Sequence, residues 1–186
     1  MVTLTSLWLP ILLSAVVVFF ASFVIHMVLP FHRKDYGKVP SEDDVMAALR
    51  KFSIAPGDYF LPCASGPADM KTPEYKKKVE QGPIVIMTVL GKDGYAMGKR
   101  LLQWFLFTAV VSIFAAYVAS RTLAPGTPYI KVFRIAGTVA FAGYALGLLQ
   151  NSIWYSKKWS TTVLSTFDGL LYALLTAGML GWRWPR

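Results

Sequence analysis

Residues 4–29 read LTSLWLPILLSAVVVFFASFVIHMVL and contain no Asp, Glu, Lys or Arg. An α-helix needs about 20 apolar residues to cross the hydrocarbon core of a bilayer, and this stretch is longer than that. It has neither a basic start nor a small-residue cleavage site, which argues against a removable signal peptide. The stretch therefore predicts a first transmembrane helix that is retained.

Three further segments meet the same criterion, after a polar interval. The sequence thus predicts an all-α membrane protein, a bundle of four transmembrane helices with a small mixed α/β soluble segment between helices 1 and 2. The first helix falls in residues 1–30, the soluble segment in 31–100 and the other helices in 101–186. The later apolar segments cover residues 101–120, 132–155 and 162–182.

The overall composition agrees with a membrane protein. Hydrophobic residues make up 55% of the chain and charged residues only 16%, with a mean hydropathy of +0.47. A soluble domain carries about 25% charged residues. The net charge of +9 could indicate nucleic acid, but Lys and Arg stand beside apolar segments, as topology signals do. We therefore expect a lipid bilayer and no nucleic acid as the partner.

The basic residues also predict an orientation, because four crossings put both termini on one side. Seven of them flank the side of the soluble segment and five flank the other side, which favours a cytoplasmic segment and outward-facing termini. The first group is Arg33, Lys34, Lys38, Lys99, Arg100, Lys157 and Lys158, and the second is Arg121, Lys131, Arg134, Arg183 and Arg186.

The soluble segment has its own secondary-structure signals. Ser41 and the acids after it predict a helix over residues 42–51, and Thr72-Pro73 predicts another over 73–81. The run from Ile84 to Leu90 is either a strand or a stretch that lies along the membrane. Such a unit has a marginal core, so we expect it to lean on the membrane helices or on another subunit.

Sequence signatures of catalysis are missing from the chain, which has no HExxH, GxSxG, Walker A or dinucleotide glycine pattern. His26 and His32 are six residues apart, a spacing that does not place them on one face of a helix. Cys63 is the single cysteine and has no disulfide partner within the chain. We therefore predict no catalytic, metal or cofactor-binding residues and no cofactor.

Asp168 is the strongest functional clue, because an ionisable residue inside a transmembrane helix is costly and usually faces the bundle interior. The rise along the helix places it in the cytoplasmic half, level with polar residues of the other helices. This cluster either lines a cavity for a proton, ion or small polar ligand, or fixes helix packing through hydrogen bonds. Its predicted members are Asp168, Asn151, Gln150, His26 and Gln103.

Small residues at four-residue spacing predict close packing of the third and fourth helices as a hairpin. A GxxxG pair of this kind could also serve a homodimer. The predicted packing residues are Gly143, Gly147, Ala173, Ala177 and Gly181.

Three stretches carry a resemblance that covers most of the chain. They read HRKDYGKVPSEDDVMAALR, PGDYFLPC and WSTTVLSTFDGLLYALLTAGMLGWRWP, at residues 32–50, 56–63 and 159–185. The chain resembles a group of uncharacterised bacterial inner-membrane proteins with four transmembrane helices. The resemblance implies a location in the bacterial inner membrane and no particular mechanism.

Three functions remain open from the sequence. The first is a non-enzymatic interaction, accessory or structural component, alone, as a homo-oligomer or in a larger membrane complex. The second is a small transporter or channel-like protein that uses the cluster around Asp168. The third is an enzyme acting on lipid at the membrane surface, for which His26, His32 and Asp168 are the candidate acid and base groups.

Overall fold

The computed structural model describes residues 2–91, 94 and 96–186. The chain divides into two compact units, a helical bundle of Met1–Gly37 with Met97–Arg186 and a soluble unit of Lys38–Ala96. The α-helices in chain order are α1 (Trp8–Phe23), α2 (Glu42–Lys51), α3 (Pro73–Gln81), α4 (Met97–Thr122), α5 (Tyr129–Tyr144), α6 (Leu149–Tyr155) and α7 (Trp159–Trp182).

Within the described residues, four helical segments are long and apolar enough to cross a membrane, which confirms the four predicted segments and supports a multi-pass membrane protein. The first and third are composite. A 3₁₀ turn precedes α1 and a π turn follows it, and a 3₁₀ turn at Leu146–Leu148 joins α5 to α6. We call them the first to fourth bundle helices: Leu4–Val28, Met97–Thr122, Tyr129–Tyr155 and Trp159–Trp182.

The bundle helices pack in a ring in which chain neighbours are also neighbours in space. The first helix contacts the second and fourth, and the third helix contacts the same two. The most extensive contact joins α5 to α7. There, a Cβ built on Gly137 would lie 3.2 Å from the Cβ of Ala177, so two small residues let the backbones approach.

The predicted packing residues divide between several contacts. Ala173 and Ala177 are buried, and a Cβ on Gly181 would lie 2.8 Å from the ring of Tyr129 on the third helix. Gly143 instead approaches Val111 of the second helix, and no described residue lies within 4 Å of the Cβ position of Gly147. The GxxxG pair therefore does not hold the third helix against the fourth.

A further close contact between these two helices is made at Gly169, which is not one of the predicted packing residues. A Cβ on Gly169 would lie 2.9 Å from the Cβ of Ala145 and 3.2 Å from its Cα. Ala145 stands where α5 ends, with φ −120° and ψ −47°. The break in the third helix is thus packed directly against α7.

The outside of the bundle is rich in large apolar side chains, as expected of a surface that contacts lipid rather than water. Phe20, Phe114 and Val163 are each more than 60% exposed. Exposed tryptophans lie near the helix ends, where Trp anchors at the membrane interface. They are Trp8, Trp154, Trp159 and Trp182.

The soluble unit contains the two predicted helices and a two-stranded antiparallel sheet. Strand β1 (Gly57–Leu61) pairs with β2 (Val85–Val89), with Gly57 opposite Val89 and Leu61 opposite Val85. The run from Ile84 to Leu90 therefore contains a strand, which was one of the two predicted alternatives. No described residue between Lys38 and Ala96 is buried, in agreement with a marginal core.

The two helix starts of the soluble unit differ. Thr72 caps α3, since its side chain accepts a hydrogen bond from the Tyr75 N–H, and Pro73 follows it. Ser41 makes no side-chain cap on α2. Its backbone is left-handed, with φ 48° and ψ 48°, whereas a capping side chain requires an extended backbone.

Candidate functional site

The candidate site forms where the first bundle helix ends and the chain turns back toward the bundle. The helix ends in a π turn at Val24–Val28, and such turns are frequent at functional sites. Leu29 is extended, Pro30 cannot continue the helix, and a 3₁₀ turn follows at Phe31–Lys34. The chain therefore folds back, and the rings of His26 and His32 lie 4.3 Å apart between centroids.

His32 bridges two carboxylates. Its Nε2 lies 2.8 Å from Oδ2 of Asp168, and its Nδ1 lies 2.7 Å from Oδ2 of Asp35. Asp168, on α7, is 4% exposed, and the His32 side chain is 10% exposed. The contact between His32 and Asp168 thus links the 3₁₀ turn after the first bundle helix to the fourth bundle helix.

The electrostatics favour the charged form of His32. Burial disfavours the imidazolium, but the hydrogen bond to Asp35 and the charge and hydrogen bond of Asp168 outweigh it. The pKa of His32 therefore lies above its usual 6.5. As an imidazolium, His32 donates one N–H to each carboxylate.

His26 adjoins an aromatic wall. Its Nε2 lies 3.4 Å from the hydroxyl of Tyr172, whose ring packs edge-on against Trp104 and Tyr144 at 5.9 and 5.7 Å between centroids. Trp104 donates its indole N–H to Oγ of Ser22, at 2.7 Å. The second, third and fourth bundle helices thus contribute to one aromatic layer beside His26, and the first helix supplies Ser22 as a hydrogen-bond acceptor.

A cavity of about 260 Å³ lies at this end of the bundle, with walls from all four helices. His26, Asp168 and Ser165 supply its polar side, and most of the remaining wall is apolar. Gly147 and Phe107 line the cavity and are also exposed on the bundle surface, so the cavity reaches that surface. The other lining residues are Trp104, Gly143, Tyr144, Leu148, Gly169 and Tyr172.

The structure brings together two members of the predicted polar cluster, Asp168 and His26. Gln103 and Gln150 are exposed and Asn151 is partly buried, and these three do not line the cavity. No hydrogen bond within the described part of the chain joins them to Asp168. For Gln150 and Asn151 the prediction rests on a regular third helix, whereas this helix is broken between α5 and α6. Gln103 lies on the unbroken α4, and its position is exposed rather than directed into the bundle.

The site also contains residues outside the predicted cluster, namely His32, Asp35 and Tyr172. The sequence signal for His32 is Pro30, because a proline at this position ends the helix. Helical spacing then no longer determines whether His26 and His32 lie close together. Asp35 is three residues after His32, the spacing that one 3₁₀ turn brings together. No sequence signal separated Tyr172 from other aromatic residues of the bundle.

Chemically, the site combines two imidazoles, two carboxylates and a phenol hydroxyl beside a mainly apolar cavity. It can hold a cation, exchange a proton or orient a polar group. Among the described residues, His26, His32 and Asp168 have donor atoms close enough together to bind a metal ion.

Comparisons with protein-family models, with curated proteins and with solved structures find no match for this chain.

Proposed function

We propose that this chain is a multi-pass protein of the bacterial inner membrane that binds an amphiphilic ligand from the bilayer in the cavity beside Asp168. The observation that carries the proposal is the composition of the cavity. One side presents His26 and Asp168, and the rest is built largely from aromatic and aliphatic groups. Ligand sites are typically apolar pockets with a few placed polar groups.

The class of ligand follows from the position of the cavity. Gly147 and Phe107 belong both to its lining and to the apolar outer surface of the bundle. A molecule dissolved in the bilayer can thus reach the cavity with its apolar part, while its polar group meets His26 and Asp168. A lipid or fatty acid combines both parts, and a freely soluble polar solute lacks the apolar one.

Binding is better supported than conduction. Elsewhere in the bundle, the described interior is filled by side chains that are fully buried, which leaves little room for an ion path. These include Leu7, Val18, Val132 and Leu180. A lipid-processing enzyme would be the catalytic form of the same proposal, with His26, His32 and Asp168 as its acid and base groups.

A second candidate is a structural or accessory component, alone or in a homo-oligomer or larger complex. It is favoured by the pairing of Asp168 with His32, because buried polar groups often hold helices together. The two candidates differ in the role of the cavity, which only the first requires.

A cavity-filling variant tests the proposal. Gly147→Leu adds a side chain to the cavity wall at a position with no neighbour within 4 Å. The purified chain is reconstituted with a photoactivatable fatty acid bearing a diazirine, illuminated and mapped by peptide mass spectrometry. We expect adducts on peptides containing Phe107 or Tyr144 in the native chain, and at least a fivefold loss of these adducts in Gly147→Leu.

Gly98→Leu is the matched control, since Gly98 also has open space around its Cβ position and does not line the cavity. It should label like the native chain. Labelling spread evenly over the outer faces of the helices, and equal in both variants, would contradict the proposal and favour the structural candidate.

We further propose the orientation in which the segment 31–100 is cytoplasmic and both termini are outside, supported by the seven-to-five distribution of basic residues. Cys63 is exposed and can report it. In intact cells Cys63 should resist a membrane-impermeant maleimide and should react after permeabilisation. Equal reaction before permeabilisation would place the segment outside.

A further inference from the structure

We propose that His26, His32 and Asp168 bind a divalent transition-metal ion of the zinc class, with Asp35 as the positioning residue of His32. One donor atom from each of the three lies within 4.8 Å of the others. The three come from three separate elements: the π turn, the 3₁₀ turn and α7. Their convergence is a tertiary feature, since no local motif requires it.

Asp35 provides the second observation. Histidines that ligate metals commonly donate their other ring N–H to a carboxylate, which fixes the tautomer and the ring direction. The Nδ1 of His32 lies 2.7 Å from Oδ2 of Asp35, so this arrangement is present. In the neutral ring, that hydrogen bond leaves the lone pair of Nε2 directed toward Asp168, at 2.8 Å.

The Nε2 lone pair of His32 and the Oδ2 of Asp168 are both acceptors, and at 2.8 Å they need a proton or a cation between them. In the metal-free site a proton on Nε2 serves, and a metal ion can replace that proton. Zinc binds imidazole nitrogen at about 2.0–2.1 Å and carboxylate oxygen at about 2.0–2.2 Å, so tetrahedral ligands lie roughly 3.4 Å apart. The three donor atoms lie within 4.8 Å of one another, and the Nε2–Oδ2 pair at 2.8 Å would separate by about 0.6 Å to reach this value.

The ligand types select the class of ion. Imidazole suits zinc, copper, iron and nickel, whereas calcium and magnesium prefer oxygen ligands alone. Three protein ligands leave a zinc coordination position for water or another group, as in catalytic sites. His26 and Asp168 also line the cavity, so the ion would border it. Contact between the open coordination position and a ligand in the cavity would rest on the proposed function, whereas the metal site itself does not.

The test measures metal on the full chain purified in mild detergent and stripped with a chelator. Zinc is added, excess ion is removed, and bound zinc is counted by elemental mass spectrometry. Added Co²⁺ reports the coordination number through its visible absorption. We expect one zinc per native chain, and at least tenfold weaker binding in His26→Gln, His32→Gln and Asp168→Asn.

The positioning residue has a separate signature. Asp35→Asn should keep the stoichiometry and weaken zinc binding about 10–100-fold, as loss of an outer-shell partner does. Asp43→Asn, at an exposed acid on α2, should bind like the native chain. Should His32→Gln or Asp168→Asn fail to fold, His26→Gln and Asp35→Asn decide the outcome, since neither removes the His32–Asp168 contact.

The metal site would be overturned if the native chain bound neither zinc nor cobalt. It would also be overturned if His26→Gln bound zinc as well as the native chain does. The proposed function fails separately. Gly147→Leu leaves all three ligands in place and should keep zinc while losing the diazirine label. Zinc binding without specific labelling would contradict only the amphiphile proposal, and labelling without zinc would contradict only this one.

Discussion

Asp168→Asn should lower the free energy of unfolding of the bundle by about 3 kcal/mol, the lower end of the cost of breaking a buried ion pair. The variant leaves the His32 cation, whose side chain is 10% exposed, with Asp35 as its remaining anion. The amide oxygen of asparagine still accepts a hydrogen bond, which keeps the loss from being larger. Thermal and denaturant unfolding in detergent, after chelator treatment, measures it.

The pH dependence identifies the cause. Because the pKa of His32 is raised in the folded protein, its stabilisation is fully present below the unfolded pKa of about 6.5. It is lost as the pH rises through the folded pKa, so the difference between native chain and variant should shrink there. Among the described residues, His26, Asp35 and Asp168 are the titratable groups that lie against His32.

Asp43→Asn is the control and should change stability by no more than about 0.5 kcal/mol, as exposed substitutions usually do. His32→Gln combined with Asp168→Asn should cost less than the sum of the single changes, since both remove the same contact. Additive losses would show that the two side chains do not stabilise each other.

Gly169→Val should destabilise the bundle by about 3 kcal/mol, near the upper end of the usual cost of overpacking. The first added carbon would already lie 2.9 Å from the Cβ of Ala145 and 3.2 Å from the backbone carbonyl carbon of Tyr144. These atoms belong to or adjoin the backbone, so a side-chain rotation cannot relieve the clash. α7 must move away from the break in the third helix.

Gly147→Val is the matched control, because Gly147 belongs to the same break and has open space around its Cβ position. Its melting temperature should stay close to that of the native chain, while that of Gly169→Val falls by several degrees. Equal melting temperatures for the two variants would show that the close approach of Gly169 to Ala145 contributes little to stability.

The sequence identified one member of the polar cluster, Asp168, but not its partner. Asp168 was identifiable because an acid in an apolar stretch is costly wherever the helix packs. Its partner was not, because the placement of Asn151 and Gln150 assumed an unbroken third helix, and Gln103 on the unbroken α4 is exposed. The break at Leu29-Pro30 brings His32 to Asp168 instead, and the break at Ala145 interrupts the third helix before Gln150 and Asn151.

The soluble segment shows the converse. Its helices at Glu42–Lys51 and Pro73–Gln81 agree with the prediction, because Pro, Gly and acidic residues at a helix end act through the local backbone. The run Val85–Val89 could not be assigned from its own residues. A strand needs a partner to satisfy its backbone, and β1 lies about thirty residues earlier.

The sequence by itself determined the four apolar helices, which begin with residues 4–29, and the polar segment after the first of them. Length and hydropathy suffice for that, because each helix satisfies its own backbone hydrogen bonds and needs no partner to be recognised. Only the tertiary structure decided that His26, His32 and Asp168 meet beside a cavity, and that Gly169 belongs to the contact between the third and fourth helices while Gly143 and Gly147 do not. Those contacts depend on the breaks in the first and third helices and on the direction of each side chain around its axis, which neither composition nor spacing specifies.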